Sequence, residues 1–407
     1  MKILFVSQYF YPETFRGNDI VFDLIKKGHQ VTVITGKPNY PLGKFYKGYK
    51  FWGVKKEQIN GADIIRIPTF PRGKGGALRL ILNYFSFYLF SYPYSKFKTD
   101  KDFDIIFVQQ LSPIFMAMPA IWALKRNKKA KLYIWVLDLW PESVIATAGA
   151  GFANNFIIGI LNKLVKYIYS KSDYILISSK SFEKSIKQRS TNKTIIYFPN
   201  WAESIYEETE LNKNYELPIL PNGFNIMFAG NIGESQDFET ILSAAIQTKD
   251  DNINWILVGD GRKLDWVRAQ VKFNNLHNVV ILGRFPIEKM PYFFKEANVM
   301  LLTLKNSLIS DLTVPAKLQA YAAAGKIILA AINGEAKYII NEHNIGLACE
   351  SGDFKSLSEN AKILKNISEE QREKMEKNSR NLYYTSYSKK VLLDNLENMF
   401  KSNCIIE

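Results

Sequence analysis

Cysteine and histidine are scarce in this chain. Its 407 residues include two cysteines, Cys349 and Cys404, and three histidines. The cysteines form no CxxC pair and have no pair of histidines nearby, so a disulfide scaffold and a cysteine-based zinc site are excluded. The sequence therefore predicts a protein of a reducing compartment without a structural metal.

A long apolar run that could act as a signal peptide or a membrane span is also missing. The opening segment MKILFVSQYF loses its apolar character at Ser7 and Gln8, and no small-residue cleavage site follows. We therefore expect a first β-strand and a cytoplasmic protein. Within the most apolar and aromatic stretch, Leu80–Ser95 is a run of 16 residues without a charge. As a helix it would extend about 24 Å, less than the roughly 30 Å of a bilayer core, so a span is not expected.

This aromatic run has two interpretations. Basic residues flank it on both sides, namely Arg72, Lys74, Arg79, Lys96, Lys98 and Lys101. Such flanks favour a helix that lies in the interface of an anionic membrane. The membrane-contacting residues would then be Phe85, Phe87, Tyr88 and Phe90, and the protein would be peripheral to the inner face of the cell membrane. The alternative is a buried aromatic core helix, because periodicity does not separate the two.

Acidic residues are few in the first half of the chain. Residues 1–200 carry 30 Lys and Arg against 12 Asp and Glu, a balance of +18, whereas residues 201–407 carry a balance of −4. One interpretation is simply a solvated basic surface. The other is attraction to an anionic surface, with a membrane and nucleic acid as the two candidates.

The pattern along the chain predicts two tandem α/β domains. Short Val/Ile/Leu runs such as FDIIFVQ and INWILVGDG alternate with amphipathic stretches, which is typical of buried parallel strands with crossover helices. We expect Rossmann-like domains at 1–203 and 223–385, facing each other across a cleft. A polar, proline-containing linker is expected at 204–222. The last helix, at 386–407, is expected to pack back on the first domain.

Two segments of the second domain are candidates for binding a phosphate group. Gly230 and Gly233 bracket a tight turn after the strand FNIMFAG, where backbone N–H groups could face a phosphate. In SDLTVPAKLQAYAAAGK, Pro315 suits the first turn of a helix, and Lys317 then places a cation against the helix dipole. An anion bound between Lys317 and the N-terminus of the helix would explain this arrangement. The alternative is a solvated surface lysine.

The segment DLWPES supplies candidate carboxylates in the first domain. Asp138 and Glu142 follow a predicted strand end, where a carboxylate could orient or deprotonate a hydroxyl. The alternative is a helix N-terminus, with aspartate as its cap. The DFD triplet at 102–104 looks like a metal-binding motif, but it precedes its strand and is interpreted as surface aspartates.

Taken together, these segments resemble a family of known enzymes. The stretches SQYFYPETFRGNDIVFDLIKKGHQVTVITGKPNYPLGKFYKGY, VLDLWPES, FPNW, AGNIGESQDFETI, WILVGDGR, VVILGRFP, PAKLQAYAAAGKIILA and NGE occur in order along nearly the whole chain. They are similar to GT-B glycosyltransferases of family 4. Within that family they resemble the L-fucosamine transferase-like branch of bacterial surface-polysaccharide synthesis.

The resemblance implies a retaining, metal-independent glycosyltransferase without a cofactor. It would use a nucleotide sugar, expected to be UDP-linked, and transfer an N-acetylated (deoxy)hexosamine, with N-acetyl-L-fucosamine as the expected sugar. The acceptor would be a polyprenyl-pyrophosphate-linked saccharide in O-antigen or capsule synthesis. The nucleotide diphosphate would bind the second domain, and the acceptor would bind mainly the first.

The resemblance also assigns roles to individual residues. Lys317 and Asp138 would be catalytic, and Asp138, Trp140 and Glu142 would bind the acceptor. The donor would contact Gly17 and Asn18 on a loop after the first strand, Arg284 and Phe285 at the nucleobase, and also Gly230, Asn231, Gly233, Pro315, Lys317 and Glu335. Asn231 and Gln236 stand where many members have Arg and Lys, and Ala320 stands in place of a ribose-binding glutamate. Glu335 is the nearest acidic replacement.

Two other classes of function stay open. A sugar-nucleotide epimerase of the same fold is one, although an isomerase needs neither the DLWPES segment nor a membrane-seeking helix. A non-catalytic basic protein that binds membranes or nucleic acid is the other. Nucleic acid is not the expected partner, because the aromatic residues are concentrated in one uncharged run rather than interleaved with bases.

Overall fold

The computed structural model describes residues 1–74, 76–148, 155–207 and 215–404. The chain divides into two compact units. The first comprises Met1–Phe198 and Leu393–Glu407, and the second comprises Pro199–Leu392. Both are α/β units built on parallel strands, so the prediction of two Rossmann-like α/β domains is confirmed.

The described residues of the first unit contain an eight-stranded sheet with the order β3-β4-β2-β1-β5-β6-β7-β8. Its strands are β1 (Lys2–Val6), β2 (Gln30–Gly36), β3 (Lys55–Ile59), β4 (Ala62–Ile67), β5 (Ile105–Gln110), β6 (Lys131–Val136), β7 (Tyr174–Ile177) and β8 (Thr194–Tyr197). Neighbouring strands are parallel, except for the antiparallel pair β3 and β4. The α-helices are α1 (Arg16–Lys26), α2 (Ala77–Phe97), α3 (Met118–Leu124), α4 (Glu142–Ala148), α5 (Asn155–Lys171) and α6 (Phe182–Lys187).

The second unit has a six-stranded parallel sheet among its described residues, with the order β11-β10-β9-β12-β13-β14. Its strands are β9 (Phe224–Asn231), β10 (Ile253–Asp260), β11 (Val279–Gly283), β12 (Val299–Thr303), β13 (Ile328–Ala331) and β14 (Gly346–Cys349). Its α-helices are α7 (Phe238–Gln247), α8 (Leu264–Phe273), α9 (Met290–Glu296), α10 (Leu308–Leu312), α11 (Ala316–Ala323), α12 (Gly334–Glu342), α13 (Phe354–Asn366) and α14 (Glu369–Leu382).

The central strands are covered on both faces. Alternate residues of a strand point to opposite faces of a sheet, and all six residues of β5 are buried. The same holds for the first six residues of β9 and the first seven of β10. Helices shield both sides of such strands, so polar chemistry is confined to the strand ends and the loops that follow them.

The final helix, α15 (Lys389–Cys404), contacts the first unit. The Lys27 Nζ is 2.7 Å from an Asp394 carboxylate oxygen, and the His29 Nε2 is 2.9 Å from Glu397 Oε1. The ring of Phe400 packs edge-on against Tyr133, with centroids 4.9 Å apart. The end of the chain is therefore part of the first unit's fold.

The aromatic helix α2 has one buried face and one exposed face. Phe87 is fully buried, so the prediction that it contacts a membrane is wrong: it belongs to the core of the unit. Tyr88 is half-buried and packs against Phe115 and Trp122. Phe85 is 47% exposed, and Phe90 is also exposed. The core interpretation therefore holds for the buried face, and membrane contact by the exposed face stays a prediction.

The outer face of α2 carries an apolar stripe. We define the α2 stripe as the exposed residues Leu78, Ile81, Leu82, Phe85 and Leu89. Their spacing of three or four positions places them on one side of the helix. Within the described residues, the structure has no helix that is both long and apolar enough to cross a membrane.

A close approach of α10 and α12 shapes the second unit near the end of β13. Gly334 opens α12 with a φ of +65°, and a Cβ atom there would overlap the carbonyl oxygen of Asp311 at the end of α10. Glycine is the residue that satisfies both the left-handed backbone and the contact. The position of Glu335, the next residue, depends on this contact.

Gly334→Ala is expected to lower the free energy of unfolding. A left-handed backbone by itself costs an alanine about 1–2 kcal/mol, and the overlap with the Asp311 carbonyl should make the loss clearly larger. Gly352→Ala is the matched control, because Gly352 has a φ of +84° and no atom within 4 Å of an added Cβ. Urea denaturation of the two variants measures the difference. Equal losses would contradict the backbone contact as the deciding constraint.

Candidate active site

The carboxyl ends of β9, β10 and β11 form a pocket of about 450 Å³ in the second unit. Its lining comprises Gly230, Asn231, Val258, Gly259, Asp260, Gly261, Arg284, Phe285 and Met290. Parallel strands end at one edge of a sheet, and ligands of open α/β sheets bind beyond that edge. Four residues predicted to bind the donor, Gly230, Asn231, Arg284 and Phe285, therefore line one pocket.

Lys317 lies across the turn that follows β9. Its Nζ donates to Gln236 Oε1 at 2.6 Å, and lies 3.5 Å from the centroid of the Phe228 ring. A Cβ atom on Gly230, whose φ is +141°, would come within 2.9 Å of Lys317 Cε. Because Gly230 has no side chain, the aliphatic part of Lys317 can pass directly over it. The two predicted phosphate-binding segments are therefore in contact.

The local structure of α11 explains how Lys317 reaches this position. Pro315 has an extended backbone and is the N-cap of α11, one residue before the first turn in which it was predicted. Lys317 is then the second residue of an eight-residue helix. Leu318, Tyr321 and Ala322 bury the opposite side of α11 in the core, so the lysine is directed toward the strand ends.

Burial sets the electrostatics of Lys317. Desolvation lowers the pKa of its amine well below the ordinary lysine value, because a charged group is disfavoured away from water. The helix dipole adds positive potential at the same place. A bound anion would offset both effects.

Two other predicted donor residues, Gly233 and Glu335, do not line the pocket. Gly233 precedes a short 3-10 turn at Glu234–Gln236, and a Cβ there would approach the Asn231 side-chain amide at 2.5 Å. Glu335 is buried in the first turn of α12, and Ala320 is buried in α11. A ribose contact by Glu335 stays a prediction.

In the first unit, Gly17 and Asn18 do not lie on a loop, as predicted, but in the first turn of α1. The Asn18 amide organises the preceding loop, since its Oδ1 accepts from Tyr11 N at 2.9 Å and its Nδ2 donates to Glu13 O at 2.7 Å. A Cβ on Gly17 would overlap the Gln109 side chain. This glycine lets α1 begin close to the sheet.

Asp138 is held at the carboxyl end of β6 by hydroxyl groups. Ser112 and Ser143 each donate a short hydrogen bond to its carboxylate. The Trp140 indole N–H donates to Ser112 Oγ at 2.9 Å, which joins Trp140 to the same cluster. Burial raises the pKa of Asp138, and hydrogen bonds to the carboxylate partly offset this effect. The cluster can accept or orient a hydroxyl group.

Glu142 is engaged in an ion pair. Its Oε1 accepts from Arg189 Nη1 at 2.9 Å and from Ser185 Oγ at 2.7 Å. These contacts join α4 to the end of α6. The carboxylate charge of Glu142 is balanced within the unit, and its contact with an acceptor stays a prediction.

Residues 214–382 match the family model described as Glycosyl transferases group 1. These residues are a group 1 glycosyltransferase domain. The match contains the whole pocket, the Gly230–Gly233 turn and Lys317. The carboxyl-end pocket of the second unit therefore belongs to a glycosyltransferase domain.

Similarity to known proteins extends beyond this glycosyltransferase domain. WcaI of Escherichia coli (strain K12), named as a colanic acid biosynthesis glycosyl transferase, is 23% identical over 343 residues, covering 80% of this chain and 82% of WcaI. A glycosyltransferase structure from Rickettsia africae has a TM-score of 0.70 at 13% identity, covering 100% and 99% of the two chains. Anabaena HepE, solved with UDP and glucose, has a TM-score of 0.63 at 13% identity, covering 99% and 100%. The two structural similarities show the shared fold.

Sequence reasoning missed several residues of the glycosyltransferase pocket. Asp260 and Gly261 belong to the segment GDG at the carboxyl end of β10, so a glycine-rich strand end was a usable signal. Phe228 gave no such signal, and the resemblance singled out Gln236 only as a position where many members have a basic residue. Their contacts with Lys317 arise because β9 and α11, about 85 residues apart in sequence, meet in the fold.

The Lys317 amine is expected to titrate well below the other lysines. Reductive ¹³C-methylation followed by NMR at increasing pH measures this, with Lys317→Arg identifying the resonance. Because an anion favours the charged amine, adding inorganic pyrophosphate should move the midpoint upward. A midpoint in the ordinary lysine range, unchanged by pyrophosphate, would contradict a desolvated anion site.

The lowered pKa of Lys317 makes the stability of the protein depend on pH. The folded state binds the Lys317 proton less tightly than the unfolded state does, so the free energy of unfolding rises with pH between the lowered pKa and the ordinary lysine pKa. In Lys317→Arg this contribution to the pH dependence should be absent over that window, because arginine keeps its proton there.

Proposed function

We propose that this chain is a retaining glycosyltransferase that uses a nucleotide sugar in bacterial surface-polysaccharide synthesis. The observation that carries the proposal is the position of Lys317, which lies over Gly230 at the mouth of the pocket that Arg284 and Phe285 line. A desolvated cation beside a nucleobase-sized pocket suits a nucleoside diphosphate. The group 1 glycosyltransferase domain supports the same assignment.

In this proposal the diphosphate of the donor binds at Lys317 and the Gly230–Gly233 turn. The bond between the sugar C1 and the diphosphate oxygen breaks, and negative charge develops on the departing phosphate. Lys317 and backbone N–H groups stabilise that charge. The acceptor hydroxyl forms the new bond to C1 from the same face, and its proton passes to the leaving phosphate. A strong protein base is not required, and Asp138 orients the acceptor hydroxyl.

The donor is proposed to be a UDP-sugar and the reaction to need no metal or cofactor. Support for the nucleotide comes from HepE, which was solved with UDP. The expected sugar, N-acetyl-L-fucosamine, is supported by the sequence resemblance to the fucosamine transferase branch. The name of WcaI, which refers to colanic acid biosynthesis, supports a role in exported polysaccharide.

The acceptor is proposed to be a polyprenyl-pyrophosphate-linked saccharide bound by the first unit on the cytoplasmic face of the membrane. Asp138 and Trp140 form the hydroxyl-binding cluster there. The α2 stripe provides an apolar surface for the lipid interface, and Lys74 and Arg79 beside its start are exposed bases. Such a combination favours peripheral binding to anionic lipids.

Lys317→Met is expected to lower kcat by about 10²–10³-fold, the loss typical of removing one group that stabilises an oxyanion. The change should leave the protein folded, because methionine keeps the apolar stem. Turnover of UDP-N-acetylhexosamines on a synthetic lipid-linked acceptor, assayed in EDTA and after addition of Mn²⁺, measures both the loss and the metal requirement. Lys272→Met, at an exposed position on α8, is the control for the lost charge.

Near-normal turnover by Lys317→Met would contradict the diphosphate assignment. Activity that needs Mn²⁺ would contradict metal independence. Conversion of the UDP-sugar to an epimer without transfer would overturn the proposed function in favour of an isomerase.

Phe85→Ser combined with Leu89→Ser is expected to weaken binding to vesicles that contain phosphatidylglycerol, since both side chains belong to the α2 stripe. Co-sedimentation measures the binding, and thermal denaturation should show little change. Phe273→Ser is the control, because Phe273 is 84% exposed on α8 of the second unit. Unchanged vesicle binding by the double variant would contradict the membrane assignment of the stripe.

A further inference from the structure

We propose that Arg72, seated among three tyrosines of the first unit, binds the phosphate group of the lipid-linked acceptor. The proposal rests on the acceptor class proposed above and names the residue that would recognise its charged head. A phosphate ester of a single apolar chain is the chemistry that fits the site. We call the group Arg72, Tyr9, Tyr40 and Tyr84 the arginine–tyrosine site.

The Arg72 guanidinium is held by aromatic rings. Its central carbon lies 5.2 Å from the centroid of Tyr40 and 5.9 Å from the centroids of Tyr9 and Tyr84. Rings at these distances attract a cation through their quadrupoles. They leave its net charge and its N–H donors in place.

The Arg72 charge has no acidic partner among the residues that the structure describes. Its side chain makes no ion pair or hydrogen bond there, and only its backbone N–H donates, to Asn39 Oδ1 at 3.0 Å. Glu13, an acid of the same group of loops, accepts from the backbone N–H groups of Asn39 and Tyr40. Burial raises the pKa of Glu13 to about 7, although these hydrogen bonds oppose the shift. Arginine presents five N–H donors that suit a phosphate.

The loops that build the site come from the ligand-binding edge of the sheet. They follow the carboxyl ends of β1, β2 and β4, and Glu13 joins the first two by accepting from Tyr40 N at 2.7 Å. The Gly73 N–H donates to the Gly43 carbonyl at 2.9 Å, which joins the second loop to the third. The site is therefore formed before any ligand binds, which lowers the cost of ordering it.

Buried Asn83 fixes α2 against the same loops. Its Oδ1 accepts from the Tyr9 hydroxyl at 3.2 Å, and its Nδ2 donates to the Phe70 carbonyl at 2.6 Å. Tyr84, one residue further, supplies a ring of the site itself. These contacts connect the arginine–tyrosine site to α2, the helix that carries the α2 stripe.

The surroundings favour a phosphate with an apolar chain over other anions. Arg79 lies in the first turn of α2, and its side-chain stem is 3.5 Å from the Cβ position of Gly73. Two arginines and a helix N-terminus together suit a group with more than one negative charge. The α2 stripe begins at Leu78, directly beside this charge. A phosphorylated isoprenoid combines the two properties.

Direct binding of geranyl diphosphate to the full chain tests the proposal. Titration calorimetry should show tighter binding of geranyl diphosphate than of inorganic pyrophosphate, because only the former reaches the stripe. Arg72→Gln is expected to weaken binding of geranyl diphosphate at least tenfold, and Arg72→Lys should retain part of the affinity. Lys129→Gln is the matched control, since Lys129 is exposed before β6, at the opposite edge of the sheet.

The Lys317→Met variant separates this site from the donor site. It should keep the binding of geranyl diphosphate that depends on Arg72, even if it no longer binds UDP or a diphosphate at the donor site. Wild-type affinity of a folded Arg72→Gln variant for geranyl diphosphate would overturn the inference and leave the proposed function intact. Failure of the wild type to use any UDP-sugar would instead count against the proposed function.

Vesicles distinguish the two possible sources of the phosphate. Arg72→Gln should bind phosphatidylglycerol vesicles nearly as the wild type does, while Phe85→Ser with Leu89→Ser should not. If Arg72→Gln weakens vesicle binding as strongly as it weakens binding of geranyl diphosphate, the site holds bilayer headgroups, and its assignment to the acceptor is overturned.

Discussion

Parallel strand pairing is the constraint on which both units depend. Parallel strands require crossover helices, and these bury the central strands on both faces. β5 and most of β9 and β10 are accordingly buried along their length. Charged and hydrogen-bonding side chains then have one favourable location, the loops at the carboxyl ends of the strands. The glycosyltransferase pocket, the Asp138 cluster and the arginine–tyrosine site all lie at such ends.

The two units also use the same means to hold a cation. Lys317 lies over the ring of Phe228, and Arg72 lies among three tyrosine rings. An aromatic ring stabilises a positive charge without neutralising it, whereas a carboxylate would form an ion pair and cancel the attraction for a ligand. Glu142, which pairs with Arg189, illustrates that second arrangement. The contrast separates cations held against aromatic rings from a cation whose charge is balanced by a carboxylate.

Helix α2 shows where sequence patterns reach their limit. Its aromatic run was compatible with a membrane surface and with a core, and the fold buries one face and exposes the other. Phe87 lies in the core while Phe85 is exposed. Gly17 and Asn18 likewise lie in a helix rather than on a loop, since Asn18 bonds to the backbone of the preceding turn.

Local sequence alone determined the two α/β units, the turn after β9 and the helix that carries Lys317. It could do so because strand hydrophobicity, glycine-rich turns and helix starts depend on neighbouring residues. Tertiary structure decided which side chains meet: Lys317 with Gln236 and Phe228, Arg72 with its tyrosines, and Glu142 with Arg189. These partners are 32 to 89 residues apart in most cases, and only the packing of strands into one sheet edge brings them within hydrogen-bonding distance or ring contact. The contacts that define each site therefore follow from the tertiary structure and not from the local sequence.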